Sequence, residues 1–382
     1  MQPARARDLG LRIGLLEPGP LNAITDVPGV RVGHATILEG DGPLVVGQGP
    51  VRTGVTVVVP PGEAFAESFY AGCHRLNGNG ELTGLEWVRE SGMLTTPVAI
   101  TNTHSVGVVR DALITAAVRG ATTQPHWSLP VVGETWDGRL NDTDGQHVRP
   151  EHLFAALDDA RGGAVAEGNV GGGTGMVCHE FKGGIGTSSR VVAAADGGWT
   201  VGVLVQANYG RRERLTLGGI PVGRAIPTTI VPTPWDDPVP AGSPPGSGSI
   251  IVVVATDAPL LPQHCERLAQ RVGLGIARSG GSGAHSSGDL FLAFATGNRG
   301  LSAADDTEGQ PLTRAITTLV DAWISPLFWA VIEATEEAIA NALVAARTMT
   351  GRDGITAHAL PHDRLRELVV ARQTMERSVG IG

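Results

Sequence analysis

Residues 244–260 read PPGSGSIIVVVATDAPL. The segment up to Ser247 has the composition of an exposed loop, whereas Ile250–Val254 is an unbroken β-branched run that is at home only in a buried strand. The change from loop to core falls within one residue, at Gly248–Ser249. Working outward, the loop character reaches back to Pro227 through a stretch rich in proline that includes Asp236 and Asp237. Forward of Ser249 the pattern predicts a strand over 249–256, a helix over 262–277 opened by Pro262, a Gly/Ser loop over 279–288, a strand over 289–295 and long helices over about 314–347.

The part before the loop reads in the same way. Turn signals alternate with short β runs over 21–62, and helical spacing predicts helices over 81–92 and 108–118. GWTVGVLVQANYG, residues 198–210, reads as a buried strand that ends in a turn at Asn208. Strands that are apolar throughout, with helices that carry wide apolar faces, imply sheets covered by helices on their outer sides. The expectation is one α/β domain over 1–382 with a long loop before Ser249.

Composition narrows the function. With 382 residues, 42% apolar and 18% charged, the chain is globular, and a net charge of −9 gives no electrostatic footprint for nucleic acid or an anionic membrane. Three scattered cysteines, Cys73, Cys178 and Cys265, form no CxxC pair and suit a reducing compartment. No stretch reaches the ~20 apolar residues of a membrane span. Glutamates, Asp321 and Pro326 interrupt the most apolar region, 316–346. A cytoplasmic protein is expected.

A serine after a glycine is ordinarily a turn or cap residue. Here a loop of cleavable character precedes a strand fixed in the core, so cutting Gly248–Ser249 would leave Ser249 as a new N-terminus on a rigid support. An N-terminal serine carries its own general base, because a free α-amine has a pKa near ~8 and lies within reach of its own hydroxyl. Glycine at 248 also frees the backbone for intramolecular attack by the Ser249 hydroxyl. Other parts of such a site can be found along the chain. GGSGAHSSGDLFLAF brings Ser286, Ser287 and Asp289 to the mouth of a strand, where a hydroxyl and a carboxylate can form a relay. Asn208 closes another strand, where a side-chain amide can stabilise an oxyanion. EGNVGGGTGM, 167–176, imitates a dinucleotide fingerprint but lacks a βαβ context. It is expected to form a glycine-lined wall beside a peptide substrate.

Taken in order, NAITDVPGVRVGHATI, RTGVTVVVP, GELTGLEWVRESG, TNTHSVGVVRDA, VVGETWDGRLND, EGNVGGGTGM, KGGIGTSSR, VQANYG, GSGSIIVVVATDAPL and GDLFLAFATGN resemble the self-processing aminopeptidases. That family includes L-aminopeptidase/D-amidase/esterase and the β-peptidyl aminopeptidases. The resemblance implies a four-layer αββα sandwich like that of N-terminal nucleophile hydrolases, with different strand connectivity. It implies self-cleavage into an α chain 1–248 and a β chain 249–382, assembly as a homo-oligomer (commonly a tetramer of αβ units), and no metal or other cofactor. The substrates it implies are small peptides, amides or esters with a free amino end.

Carried over by residue, Ser249 is the nucleophile, Asn208 the oxyanion donor, and Ser287 with Asp289 the supporting pair, Asp standing where some relatives have Glu. Glu134 in GETWDG matches the carboxylate that receives the substrate's ammonium, and Trp136 and Lys182 fall to substrate binding. Trp136 stands where relatives of known activity have a Tyr, and an indole offers only an N–H. Two rivals share the scaffold: an acyltransferase or endo-acting oligoamide hydrolase, and a homologue that binds without catalysis. Ser rather than Thr at 249, and the presence of Glu134, favour the aminopeptidase.

Overall fold

The β-branched runs and the glycine-broken segments between them take shape in a computed structural model that describes residues 4–120, 127–236, 248–301 and 312–378. Fourteen strands occur among the described residues. In chain order the first six are β1 (Arg31–Glu39), β2 (Val51–Val59), β3 (Phe69–Gly78), β4 (Met93–Leu94), β5 (Val98–Asn102) and β6 (Val131–Thr135). There follow β7 (Val177–Cys178), β8 (Phe181–Lys182), β9 (Gly184–Val191), β10 (Thr200–Asn208), β11 (Ser249–Thr256) and β12 (Gly288–Ala295). A last ribbon pairs β13 (Met349–Thr350) with β14 (Thr356–Ala357). The helices are α1 (Leu85–Ser91), α2 (Val106–Gly120), α3 (Pro150–Asp159), α4 (Val222–Ala225), α5 (Pro262–Arg278), α6 (Ser325–Ala345) and α7 (His362–Ser378).

One sheet has the order β1-β2-β5-β6 and the other β4-β3-β12-β11-β10-β9. Successive side chains of a strand point to opposite faces, and β11 divides accordingly. Ile250, Val252 and Val254 pack with Leu268 and Val272 of α5 and Ile339 of α6. Ile251, Val253 and Ala255 join Val58, Val98, Ile100 and Val131 of the other sheet. The outer face of the four-stranded sheet (Val55, Val57, Ala99, Val132) is covered by Val109 and Leu113 of α2 and Leu153 of α3. The layers therefore run helix, sheet, sheet, helix, as the resemblance implied. Gly186 lets α6 sit directly on β9, since a Cβ there would lie 2.0 Å from the Ala338 carbonyl oxygen.

The elements around the loop match the expected boundaries, with three differences. The helix expected from about 314 begins only at Ser325, with Pro326 in its first turn, and residues 312–320 are irregular. The helix expected over 81–92 is the shorter α1, because Gly84 at its N-cap adopts φ +73° and Leu82 bridges to Gly133 instead. Residues 237–247 of the expected loop, Asp237 among them, lie outside the described residues. No helix among the described residues is long and apolar enough to cross a membrane.

The glutamates that interrupt the apolar pattern of α6 are buried rather than exposed. Glu337 accepts from Arg190 Nη2 at 2.6 Å, Arg7 Nε at 2.7 Å and Asn22 Nδ2 at 2.6 Å, and Glu333 lies 3.3 Å from Arg190 Nε. This network ties the N-terminal segment and β9 to α6. Glu337→Ala leaves Arg190 buried without its main partner, so it is expected to cost about 3–5 kcal/mol of folding stability. Denaturant titration of the purified variant reads this directly, and a loss under about 1 kcal/mol would mean that the surrounding packing, not the pair, holds the layer.

Candidate active site

Strand pairing gathers the chain ends that matter. β10 runs antiparallel to β11 with Asn208 opposite Ser249, and β12 runs parallel to β11 with Ile250 opposite Asp289. The C-terminal end of β10 therefore meets the N-terminal ends of β11 and β12. Ser249 is buried, and its Oγ accepts a hydrogen bond from the Gly288 N–H at 3.0 Å. That bond leaves the hydroxyl proton free to be donated. At Gly248 a Cβ would fall 1.9 Å from the Asn208 carbonyl oxygen and 3.2 Å from Asn208 Nδ2. A side chain is thus excluded by contact with β10, and the Gly248–Ser249 bond lies beside the Asn208 amide.

Two hydrogen bonds fix that amide. Its Oδ1 accepts from the Val177 N–H at 2.8 Å, and its Nδ2 donates to the Trp136 carbonyl at 2.8 Å. Because one partner can only donate and the other only accept, the orientation of the amide follows, and among the described residues one Nδ2 proton is left over. Ser287 Oγ donates to Asp289 Oδ1 at 2.5 Å. Burial pushes the Asp289 carboxyl up to about 6, against the pull of Ser287, the Ile250 backbone and Asn77. The loop that carries Ser287 is held from β3 and the residues after it. Asn77 Nδ2 donates to the Ala284 carbonyl, Asn79 Nδ2 to the Ser286 carbonyl at 2.8 Å, and the Asn79 N–H to the Ser287 carbonyl at 3.2 Å.

Glu134 is the penultimate residue of β6. Its Oε1 accepts the Glu81 N–H at 3.0 Å and its Oε2 the Thr103 hydroxyl. A Cβ on Gly80 would lie 2.9 Å from Glu134 Oε1 and 3.1 Å from Gly288 Cα. The carboxylate is therefore one glycine's width from the residue that holds Ser249 Oγ. Burial raises its pKa, Thr103 and the Glu81 N–H oppose the rise, and the Glu81 and Asp137 carboxylates add to it. Asp137 itself is fully buried among Thr53, Asn102, Asn141 and Thr143, and burial raises it to about 6.

The other two residues expected at the substrate sit differently. Trp136 contributes its carbonyl to Asn208, while its half-buried ring lies against Gly138. Lys182 is fully buried, and its ammonium donates to the carbonyls of Met176 (2.8 Å), Gly183 (2.8 Å) and Gly173 (3.3 Å). The glycines expected to line a substrate wall instead approach the protein's own interior. A Cβ at Gly172 would lie 2.1 Å from Gln206 Oε1, and one at Gly173 2.4 Å from the Ile185 nitrogen. The segment is a packed plug between β5 and β9.

The Gly288 N–H, Asn77, Asn79, Thr103 and Asp137 were not singled out by sequence. The NGNG run over 77–80 signals a turn at the end of a strand. Nothing in it points to a loop some 200 residues further on.

The chain matches the model of peptidase family S58 over residues 22–357. It is 47% identical over 369 residues to the β-peptidyl aminopeptidase BapA of Sphingosinicella microcystinivorans, an overlap that takes in 96% of this chain and 91% of that protein. Among solved structures, a β-aminopeptidase of Burkholderia sp. superposes with a TM-score of 0.89 at 54% identity, covering 96% of this chain and 99% of the other. The L-aminopeptidase D-Ala-esterase/amidase of Ochrobactrum anthropi, described as a variant of the Ntn hydrolase fold, superposes with a TM-score of 0.86 at 40% identity, covering 97% and 99%.

Proposed function

The chain belongs to peptidase family S58, and we propose that it is a self-processing serine aminopeptidase that acts through an acyl-enzyme on Ser249. In maturation, Ser249 Oγ attacks the Gly248 carbonyl carbon. The peptide C–N bond breaks, an ester joins Gly248 to Oγ, and the Ser249 nitrogen becomes a free amine. Water then hydrolyses the ester, giving an α chain 1–248 that ends in a carboxylate and a β chain 249–382.

In turnover the new α-amine takes the hydroxyl proton as Oγ attacks the first carbonyl of the substrate. The oxyanion accepts a hydrogen bond from the spare Asn208 Nδ2–H, and the leaving group departs with the proton held by the Ser249 amine. Ser287 and Asp289 steady that amine. Water releases the acid. Glu134 pairs with the substrate's ammonium, which restricts cleavage to the first residue.

One observation carries this reading: the Asn208 amide, fixed at both ends, lies beside the Gly248–Ser249 bond while the Gly288 N–H holds Ser249 Oγ. The substrates are small peptides, amides or esters with a free amino end, N-terminal β-residues included, the class for which the Sphingosinicella and Burkholderia relatives are named. The working form is a homo-oligomer, a tetramer of αβ units. Its three unpaired cysteines suit the cytoplasm.

The intact mass of freshly purified, denatured protein is expected to show two chains that meet at Gly248/Ser249. Aminoacyl p-nitroanilides with α- and β-residues should be hydrolysed, and their N-acetylated forms should not. A single chain, stable for days at neutral pH, would overturn the proposal, and turnover of the acetylated substrates would remove the role of Glu134.

A further inference from the structure

Among the described residues no carboxylate meets the Lys182 amine in the interior. The three protons of its ammonium go to three main-chain carbonyls, those of Gly173, Met176 and Gly183. None is left for a substrate. Burial lowers the Lys182 pKa to about 7, and the other group that bears on the amine is the Cys178 thiol, which burial keeps neutral by raising it to about 12. An ammonium in such a place is costly, so what it holds is informative.

It holds one face of the Met176–Val177 peptide. Lys182 Nζ binds the carbonyl of that peptide and the Gly183 N–H takes the same oxygen at 2.8 Å, while the N–H on the other side goes to Asn208 Oδ1 at 2.8 Å. The same ammonium fastens the peptide to the glycine plug at Gly173 and to the turn at Gly183, joining the β7–β8 ribbon to the packed interior.

We propose that Lys182 is a positioning residue for the oxyanion donor: its ammonium fixes the Met176–Val177 peptide, whose N–H sets the Asn208 amide so that its spare proton faces the scissile carbonyl. This rests on the reading of Asn208 as oxyanion donor and deepens it. A residue that acts in this way affects the transition state and not the binding of the substrate's amino end, which lies on Glu134. A neutral side chain of similar length leaves Gly183 alone on the Met176 carbonyl and frees the Gly173 carbonyl. The peptide then pivots by a fraction of an ångström, at a site where misplacement of about 1 Å can cost roughly a hundredfold in rate.

The test is a double-mutant cycle on the full chain, read both in the rate of self-cleavage and in kcat and KM of the mature enzyme. Lys182→Met is expected to lower both rates by about tenfold with KM within twofold of wild type, whereas Asn208→Ala lowers them by about 10²–10³-fold. With Asn208→Ala already in place, Lys182→Met should cost less than twofold more, because the group it positions is gone. A full tenfold loss in that background, or a loss confined to KM, would overturn the role of Lys182 while leaving Asn208 intact. If Asn208→Ala by itself leaves the rates unchanged, the oxyanion reading fails instead. Should Lys182→Met not fold, Lys182→Gln, which is shorter and keeps fewer N–H donors, takes its place in the cycle: a rate loss that disappears in the Asn208→Ala background supports the proposal, and wild-type rates or a loss that persists in that background overturns it.

Discussion

Ser249→Ala is expected to accumulate as one uncut chain and to lose amidase activity by roughly 10⁴-fold or more, the scale set by removing a catalytic nucleophile. Chemistry and folding separate at this position. Ser249 occupies the first position of β11, where its backbone pairs with Asn208 and the strand interior is wholly apolar. Its hydroxyl makes one bond inside the fold, with the Gly288 N–H. An alanine fits the same volume, and the loss in stability is one modest hydrogen bond, about 1 kcal/mol. The uncut variant should therefore fold, with a cooperative denaturant transition no weaker than that of the two-chain wild type. Intact mass settles the cleavage, and p-nitroanilide hydrolysis settles the turnover. Two chains in the alanine variant would mean that another group, or a contaminating protease, cuts the loop. Ser249→Cys supplies the complementary arm, since a thiol is also a nucleophile and should restore some cutting.

How much of this was legible in the sequence depends on how local the cause was. The step from Gly/Ser/Pro to IIVVV placed the start of β11 at Ser249, because a strand buried on both faces reads as a continuous apolar run. Pro262 opened α5 for an equally local reason. Family resemblance grouped Asn208, Ser287, Asp289 and Glu134, and the register of β10, β11 and β12 supplies a geometry for Asn208 and Asp289. What sequence could not supply was the set of long-range partners. The need for glycine at 248 comes from β10 passing within 1.9 Å of a Cβ site, which no property of the loop announces. Glu333 and Glu337 look like the solvated face of a helix until Arg7 and Arg190 are brought to them from distant parts of the chain. Lys182 looks like a substrate contact until its three carbonyl partners are counted.

Glu134→Gln is expected to lower kcat/KM for substrates with a free amino end by about a hundredfold or more, on the scale of about 2–5 kcal/mol for removing one partner of a buried charge pair. Most of the loss should fall in KM. The variant should fold: the amide oxygen can accept the Glu81 N–H, and the amide nitrogen can donate to Thr103 Oγ, which then turns to accept. The pH dependence gives the sharper test. Burial raises the Glu134 pKa, so the carboxylate that binds ammonium is lost as pH falls through that raised value, and kcat/KM of the wild type falls with it. In Glu134→Gln that limb disappears. A limb near pH 6 from Asp289, which must be ionised to accept the Ser287 proton, remains in kcat. Stability moves the other way. A carboxyl whose folded pKa lies above its unfolded value penalises the fold at neutral pH, and the penalty vanishes below the ordinary value of about 4.3. The uncharged variant should therefore be more stable than the free wild-type enzyme at pH 7, with the difference closing as the solution is acidified. A Glu134→Gln protein that keeps the wild-type kcat/KM profile would place the ammonium on another carboxylate, of which Glu81 and Asp137 are the two that already act on this site, and one that is less stable at pH 7 would mean that the bonds from Thr103 and the Glu81 N–H outweigh the cost of burial.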